Sequence, residues 1–162
     1  MRTAAWFAAG AVAVAALQWP ACALAQGNGQ GGGGQKPQYY RSPSTAAANL
    51  PFSDAARVGR LLYVNNQIGN EPGVAHVVSG GLAAELGQAM KNVRTIVAAN
   101  GLDMGDVFKC TISLSDMSKW AELNRLWPSY FPAGHLPVRN VIGVTALPLG
   151  GEVAVECTAD GR

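Results

Sequence analysis

The chain has 162 residues, with 12 Lys and Arg against 10 Asp and Glu. Its basic residues are scattered, neither clustered nor interleaved with aromatics, which excludes a surface built to track nucleic-acid phosphates. Cys110 and Cys157 have no close Cys or His neighbours, so the spacing of a metal-binding set is absent.

The N-terminus opens with Met1-Arg2-Thr3, continues as an apolar run over residues 4–17 and reaches Ala23-Leu24-Ala25 before Gln26. A basic start, a short apolar stretch and a small-residue site read as a secretory signal peptide over residues 1–25, too short for a membrane span. Cys22 is a competing lipid-attachment site, but Trp19-Pro20-Ala21 lacks the Leu-like residue such sites carry. A periplasmic or secreted protein is expected. Without Arg2, eleven basic residues face ten acidic ones, leaving a net charge of +1. Residues 26–48 are rich in Gly and Gln and show no apolar period, so they read as a flexible tether. The remainder, 49–162, fits one domain with a single core and has no internal repeat.

Within that domain, residues 52–58 and 61–67 are short runs broken by Gly59-Arg60 and read as a hairpin. Over residues 81–100, Leu82, Leu86, Ala89, Met90, Val93, Ile96 and Val97 recur at helical spacing, and Asn100-Gly101 supplies the stop. Residues 106–114 alternate, with Phe108, Cys110, Ile112 and Leu114 on one side of a strand. A second helix is expected over residues 119–130, its last turn kinked or broken at Pro128. Residues 138–144 and 152–159 complete the pattern as strands joined by a turn at 148–151. Two helices cannot cover both faces of such a sheet, so one face packs the core and the other needs a partner.

Two charges stand inside the last two strands, Arg139 and Glu156. Burying either without a partner is costly, so they form an ion pair or line a site. Val153, Val155, Cys157 and Ala159 share the core side of the final strand, which points Glu156 to the face without helices. A hairpin turning near 149–150 pairs Arg139 with position 160, leaving Glu156 about 13 Å out of register. A direct pair is then the harder explanation, although both readings remain open. A guanidinium holds a small carboxylate through parallel hydrogen bonds, and a nearby carboxylate positions or deprotonates water. His76 and His135 read as solvated loop residues. Cys110 and Cys157 both fall on core-facing sides, where buried thiols are favoured over a disulfide.

Leu50-Pro51-Phe52-Ser53, the run from Leu61 to Ile68, the helix ending at Asn100-Gly101-Leu102, Asn124, Pro137-Val138-Arg139 and Val155-Glu156 together resemble the RidA/YjgF family of enamine/imine deaminases. The resemblance implies a chorismate-mutase-like α+β fold, a mixed sheet with two helices on one face, and a homotrimer with sites between subunits. It gives Arg139 the substrate carboxylate and Glu156 the hydrolytic water, with Phe52, Asn65, Asn66, Asn124 and Val141 as cleft walls. The implied ligands are 2-imino acids and their 2-keto acid products. No cofactor is implied, because an imine carbon is already electrophilic. Phe52 stands where many members have Tyr, Asn65-Asn66 where they commonly have Ser-Gly, and Asn140-Val141 where Ser or Thr and then Cys are typical.

Overall fold

A computed structural model describes residues 35–161. The signal-peptide reading and the first part of the tether lie outside those residues. The elements are β1 (Gln38–Tyr40), α1 (Pro43–Ala47), β2 (Ala55–Val58), β3 (Leu61–Ile68), α2 (Gly81–Ala99), β4 (Val107–Leu114), α3 (Trp120–Leu126), β5 (Val138–Gly143) and β6 (Val153–Asp160). Six strands form one sheet in the order β1-β2-β3-β6-β4-β5. All neighbours are antiparallel except β4 and β5, which run parallel and are connected through α3.

The hairpin of β2 and β3 turns at Gly59, whose φ of +59° is the left-handed conformation a two-residue reversal needs. α2 buries Leu82, Leu86, Ala89, Met90, Val93, Ile96 and Val97 against the sheet and stops at Asn100, followed by Gly101 at φ +76°. Arg57 donates to the Asn100 carbonyl at 2.7 Å, satisfying an acceptor the helix end leaves open. Gly69 lets the end of β3 press against α2, because a Cβ there would lie 2.6 Å from Glu85 Cα. The core is the layer between the sheet and α2 and α3, where Leu62, Leu86, Ile112, Leu123 and Val155 have no exposed surface. Burying each such side chain contributes about 2 kcal/mol.

Several expectations change. Strand and helix begin inside the segment read as tether: Ser42 caps α1 and Pro43 starts it, while Tyr40 of β1 packs against the core. The strand expected from residue 52 starts at Ala55, because residues 48–54 form the return from α1. In β4 a register shift between Val107 and Lys109 carries Phe108 off the core row, so Val107 is buried and Phe108 is 44% exposed. The second helix is α only over Trp120–Leu126, with single 3₁₀ turns at Met117–Lys119 and Trp127–Tyr130; Pro128 sits in the latter. The last two strands are not a hairpin, since β4 lies between them. Arg139 is therefore opposite Cys110 of β4, next to the Thr111 that pairs with Glu156, and not in line with position 160. Cys110 and Cys157 are directly opposed on β4 and β6 and form a disulfide, where free thiols were favoured.

Candidate functional site

Glu156 sits midway along β6 on the face without α2 and α3, flanked by a distortion in β3. Val64 pairs with Cys157 and Gln67 with Val155, so two residues, Asn65 and Asn66, face Glu156 alone. Such a bulge re-aims side chains and interrupts the ladder. Hydrogen bonds define it closely. The Asn65 amide donates to the Asp54 carbonyl at 2.8 Å, the Asn66 amide donates to Asn65 Oδ1 at 2.8 Å, and Gln67 Nε2 donates to the Asn65 carbonyl at 3.0 Å. Phe52, two residues before Asp54, is 47% exposed.

On the other side of Glu156, Thr111 of β4 is its register partner. A shallow depression of ≈ 200 Å³ surrounds the carboxylate, lined by Tyr63, Lys109, Thr111 and Thr158 with the adjoining backbone. Lys109, Thr111 and Tyr63 were missed in sequence reasoning. Their alternation with core residues is the signal that places them on the Glu156 face. Glu156 itself is exposed, and among the described residues it has no hydrogen-bond or ion-pair partner. The premise of a buried carboxylate fails here: the face it points to is uncovered in a single chain.

Arg139 belongs to a second group of side chains. It lies on β5, the edge strand, with Cys110 as its parallel register partner, and therefore points to the side that carries the helices. Its guanidinium donates to Asn124 Oδ1 on α3 and lies 5.6 Å from the ring centroid of Trp127. Trp127 is buried and packs against Phe131 in a tilted pair with ring centroids 4.9 Å apart, so the indole is a fixed platform for the cation. Partial burial lowers the Arg139 pKa from its ordinary value, yet a guanidinium stays charged at any physiological pH. Val141, two residues along β5, shares this side and is half-buried. Asn124 engages one edge of the fork, leaving other N–H groups for a planar anion.

The chain thus carries two half-sites. Asn65, Asn66 and Glu156 gather at the β3 bulge, to which Phe52 is linked through Asp54 two residues on; Arg139, Asn124 and Val141 gather at β5 and α3. Between them lie two strand spacings, about 10 Å, and the sheet itself, because Arg139 and Glu156 point to opposite faces. No ion pair joins them. His76 and His135 are both exposed; His76 Nδ1 lies 3.2 Å from the Val77 carbonyl, and the His135 ring stands near Gly105. Among the described residues no three His, Cys, Asp or Glu side chains are grouped to hold a metal, and no helix is long and apolar enough to cross a membrane.

Residues 43–160 match the family model described as Endoribonuclease L-PSP, which spans the helices, strands β2 to β6 and both half-sites. The chain belongs to this family, RidA/YjgF. Among curated relatives, the 2-iminobutanoate/2-iminopropanoate deaminase of Mus musculus is 39% identical over 113 residues, covering 70% of this chain and 83% of its own. Reactive Intermediate Deaminase A of Arabidopsis thaliana chloroplasts is 32% identical over 124 residues, covering 76% of this chain and 66% of its own. Among solved structures, RidA from the Antarctic bacterium Psychrobacter superposes with a TM-score of 0.68 at 31% identity, covering 76% of this chain and 98% of the other. The YjgF gene product of E. coli gives 0.69 at 27% identity, covering 77% and 99%. The RidA/YjgF fold, a mixed sheet with helices against one face, is the one described above.

Proposed function

We propose that this protein is a cofactor-independent deaminase that hydrolyses 2-imino acids of the 2-iminopropanoate and 2-iminobutanoate type to 2-keto acids and ammonia. The observation that carries this reading is the division of Arg139 and Glu156 between two surfaces that a single chain leaves open. Each group is complete for its own task and useless alone. A second copy that sets its β5 edge against the bulge face of the first would complete a cleft, and a homotrimer closes three such contacts around one axis. Exposed Tyr63, Val138 and Ile142 on the bulge face supply apolar area for that contact.

In such a cleft Arg139 holds the substrate carboxylate, its orientation fixed by Asn124 and Trp127. Glu156 takes a proton from water as the water oxygen bonds to the imine carbon, and the imine nitrogen gains a proton, giving a carbinolamine. The hydroxyl then gives up its proton and the nitrogen gains the proton held by Glu156 as the C–N bond breaks, so that ammonia leaves, the 2-keto acid remains and Glu156 takes up the hydroxyl proton. The imine carbon is electrophilic as supplied, so positioning and proton transfer suffice. Phe52 offers no hydroxyl to the water, so its polar neighbours are Glu156, the bulge carboxamides and the Tyr63, Lys109, Thr111 and Thr158 side chains that line the depression.

The chain is further proposed to act outside the cytoplasm. Support comes from the Cys110–Cys157 disulfide, a bond that forms and persists in oxidising compartments, together with the N-terminal signal-peptide reading.

Mixing inactive variants tests the shared cleft. Arg139→Ala and Glu156→Gln are each expected to abolish ammonia release from freshly generated 2-iminobutanoate. If each site takes its arginine from one copy and its glutamate from the next, co-refolding equal amounts restores about a quarter of wild-type activity by random assembly. No recovery in a mixed trimer would place both residues of a site on one chain and refute the arrangement. A wild-type rate no better than that of Arg139→Ala would refute the activity.

A further inference from the structure

We infer that Asp54 is a positioning residue for the Glu156 half-site, acting through a closed loop that sets Phe52 and the β3 bulge as one unit. The inference rests on the deaminase reading for its kinetic consequence and on geometry alone for its structural one. Asp54 is among the few buried charged residues, 6% exposed. A carboxylate so placed is tolerated only when its oxygens are paired, and both are. Oδ2 accepts from the Ser42 amide at 2.6 Å, and Oδ1 accepts from the Thr45 hydroxyl at 2.9 Å. Those partners are the N-cap and an early residue of α1, itself only five residues long. A helix that short does not hold itself together in water, so Asp54 supplies much of what keeps it wound.

The backbone of Asp54 is equally engaged. Its amide donates to the Tyr40 carbonyl at 2.9 Å, tying it to β1, and its carbonyl accepts the Asn65 amide at 2.8 Å, tying it to the bulge. One residue therefore joins α1, β1 and the first of the two residues facing Glu156. Arg41 closes the loop from the other end, donating to the Leu50 carbonyl at 2.7 Å and the Thr45 carbonyl at 3.3 Å. Phe52 stands on the returning segment of this loop, between the anchors at Leu50 and Asp54. Its ring is 47% exposed, and the loop sets where it stands. The consequence is that the wall at Phe52 and the bulge at Asn65 shift together, not separately, when Asp54 loses its partners.

The test compares Asp54→Ala and Asp54→Asn by amide hydrogen exchange over residues 61–68 and by steady-state kinetics on freshly generated 2-iminobutanoate. In Asp54→Ala, protection of the Asn65 amide is expected to fall about tenfold. KM is expected to rise about five- to tenfold while kcat stays within about twofold. Asp54→Asn keeps an acceptor for the Ser42 amide and a donor for the Thr45 oxygen, and is expected to recover both readouts. Thr45→Val, which deletes one partner with little change of volume, serves if Asp54→Ala does not fold, and should reproduce its changes in weaker form. Unchanged exchange at Asn65 in the alanine variant, or an asparagine variant as impaired as alanine, overturns the inference. A wild type that releases no ammonia refutes the deaminase reading instead, and the exchange result still decides the positioning.

Discussion

Removing the Cys110–Cys157 bond tests the stability side of the structure, and its cost can be worked from position. The two residues are 47 apart in sequence, opposed on β4 and β6, and 1% and 3% exposed. A cross-link closing a loop of that length removes unfolded-chain entropy equivalent to about 4 kcal/mol at 25 °C. A compact denatured state lowers the figure, so about 3 kcal/mol is expected. Unfolding entropy near 2 cal/mol/K per residue over a domain of this size converts that to a fall of about 11 °C in Tm. The measurement is far-UV circular dichroism on the Cys110→Ala/Cys157→Ala protein and the wild type at one protein concentration, because assembly also raises Tm. Reduction in situ is the poorer test, since the buried sulfurs are screened from reductant until the sheet opens. A drop under about 3 °C would refute the reasoning. So would two alkylatable thiols in wild-type protein unfolded without reductant.

Two further outcomes follow from the same geometry. Asn124→Ala removes the acceptor that orients Arg139, a hydrogen bond contributing about 1 kcal/mol, so KM for an imino acid or Kd for 2-oxobutanoate should rise about fivefold with kcat within about twofold. Unchanged affinity would show that Trp127 alone sets the guanidinium. The Lys119–Glu152 ion pair at 2.6 Å joins the start of α3 to the approach to β6, and Glu152 raises the Lys119 pKa above its ordinary 10.5. A pair that raises a lysine pKa contributes its full stabilisation below the unfolded value and loses it as pH rises through the folded one. Lys119→Met should therefore narrow the gap to wild type as Tm is measured from pH 8 toward pH 11; a gap that does not narrow refutes the coupling.

The elements legible from the sequence were those whose apolar period is local. α2 was read to within a residue because seven core positions on one face admit no other period, and β3 because its neighbour is two residues away across Gly59. The order of strands was not legible, since nothing in residues 138–160 says that β4 inserts between the last two. A hairpin was the shorter connection, and the register drawn from it was wrong in consequence. Phe108 was misplaced for a related reason. A bulge shifts parity by one, and its only trace is that Val107 and Phe108 are both apolar.

That error bears on the site more than on the fold. Parity placed Glu156 correctly on the face without helices, because parity within one strand needs no knowledge of neighbours. Arg139 needed them: only its pairing with Cys110 shows that it faces the other way. Both charges were read as buried because the surrounding residues are apolar, yet Val138 is 71% and Ile142 43% exposed in the single chain. Apolar residues on an edge strand and on an uncovered face are those the proposed assembly would cover, and they look like core when only one chain is considered. The same residues that made the charges seem misplaced are the ones a second copy would cover. A charge set among them is then costly only after assembly, when a substrate carboxylate can stand opposite Arg139 and water opposite Glu156. The proposed cleft makes the two half-sites depend on association: a variant that stays monomeric should keep its fold and lose its turnover.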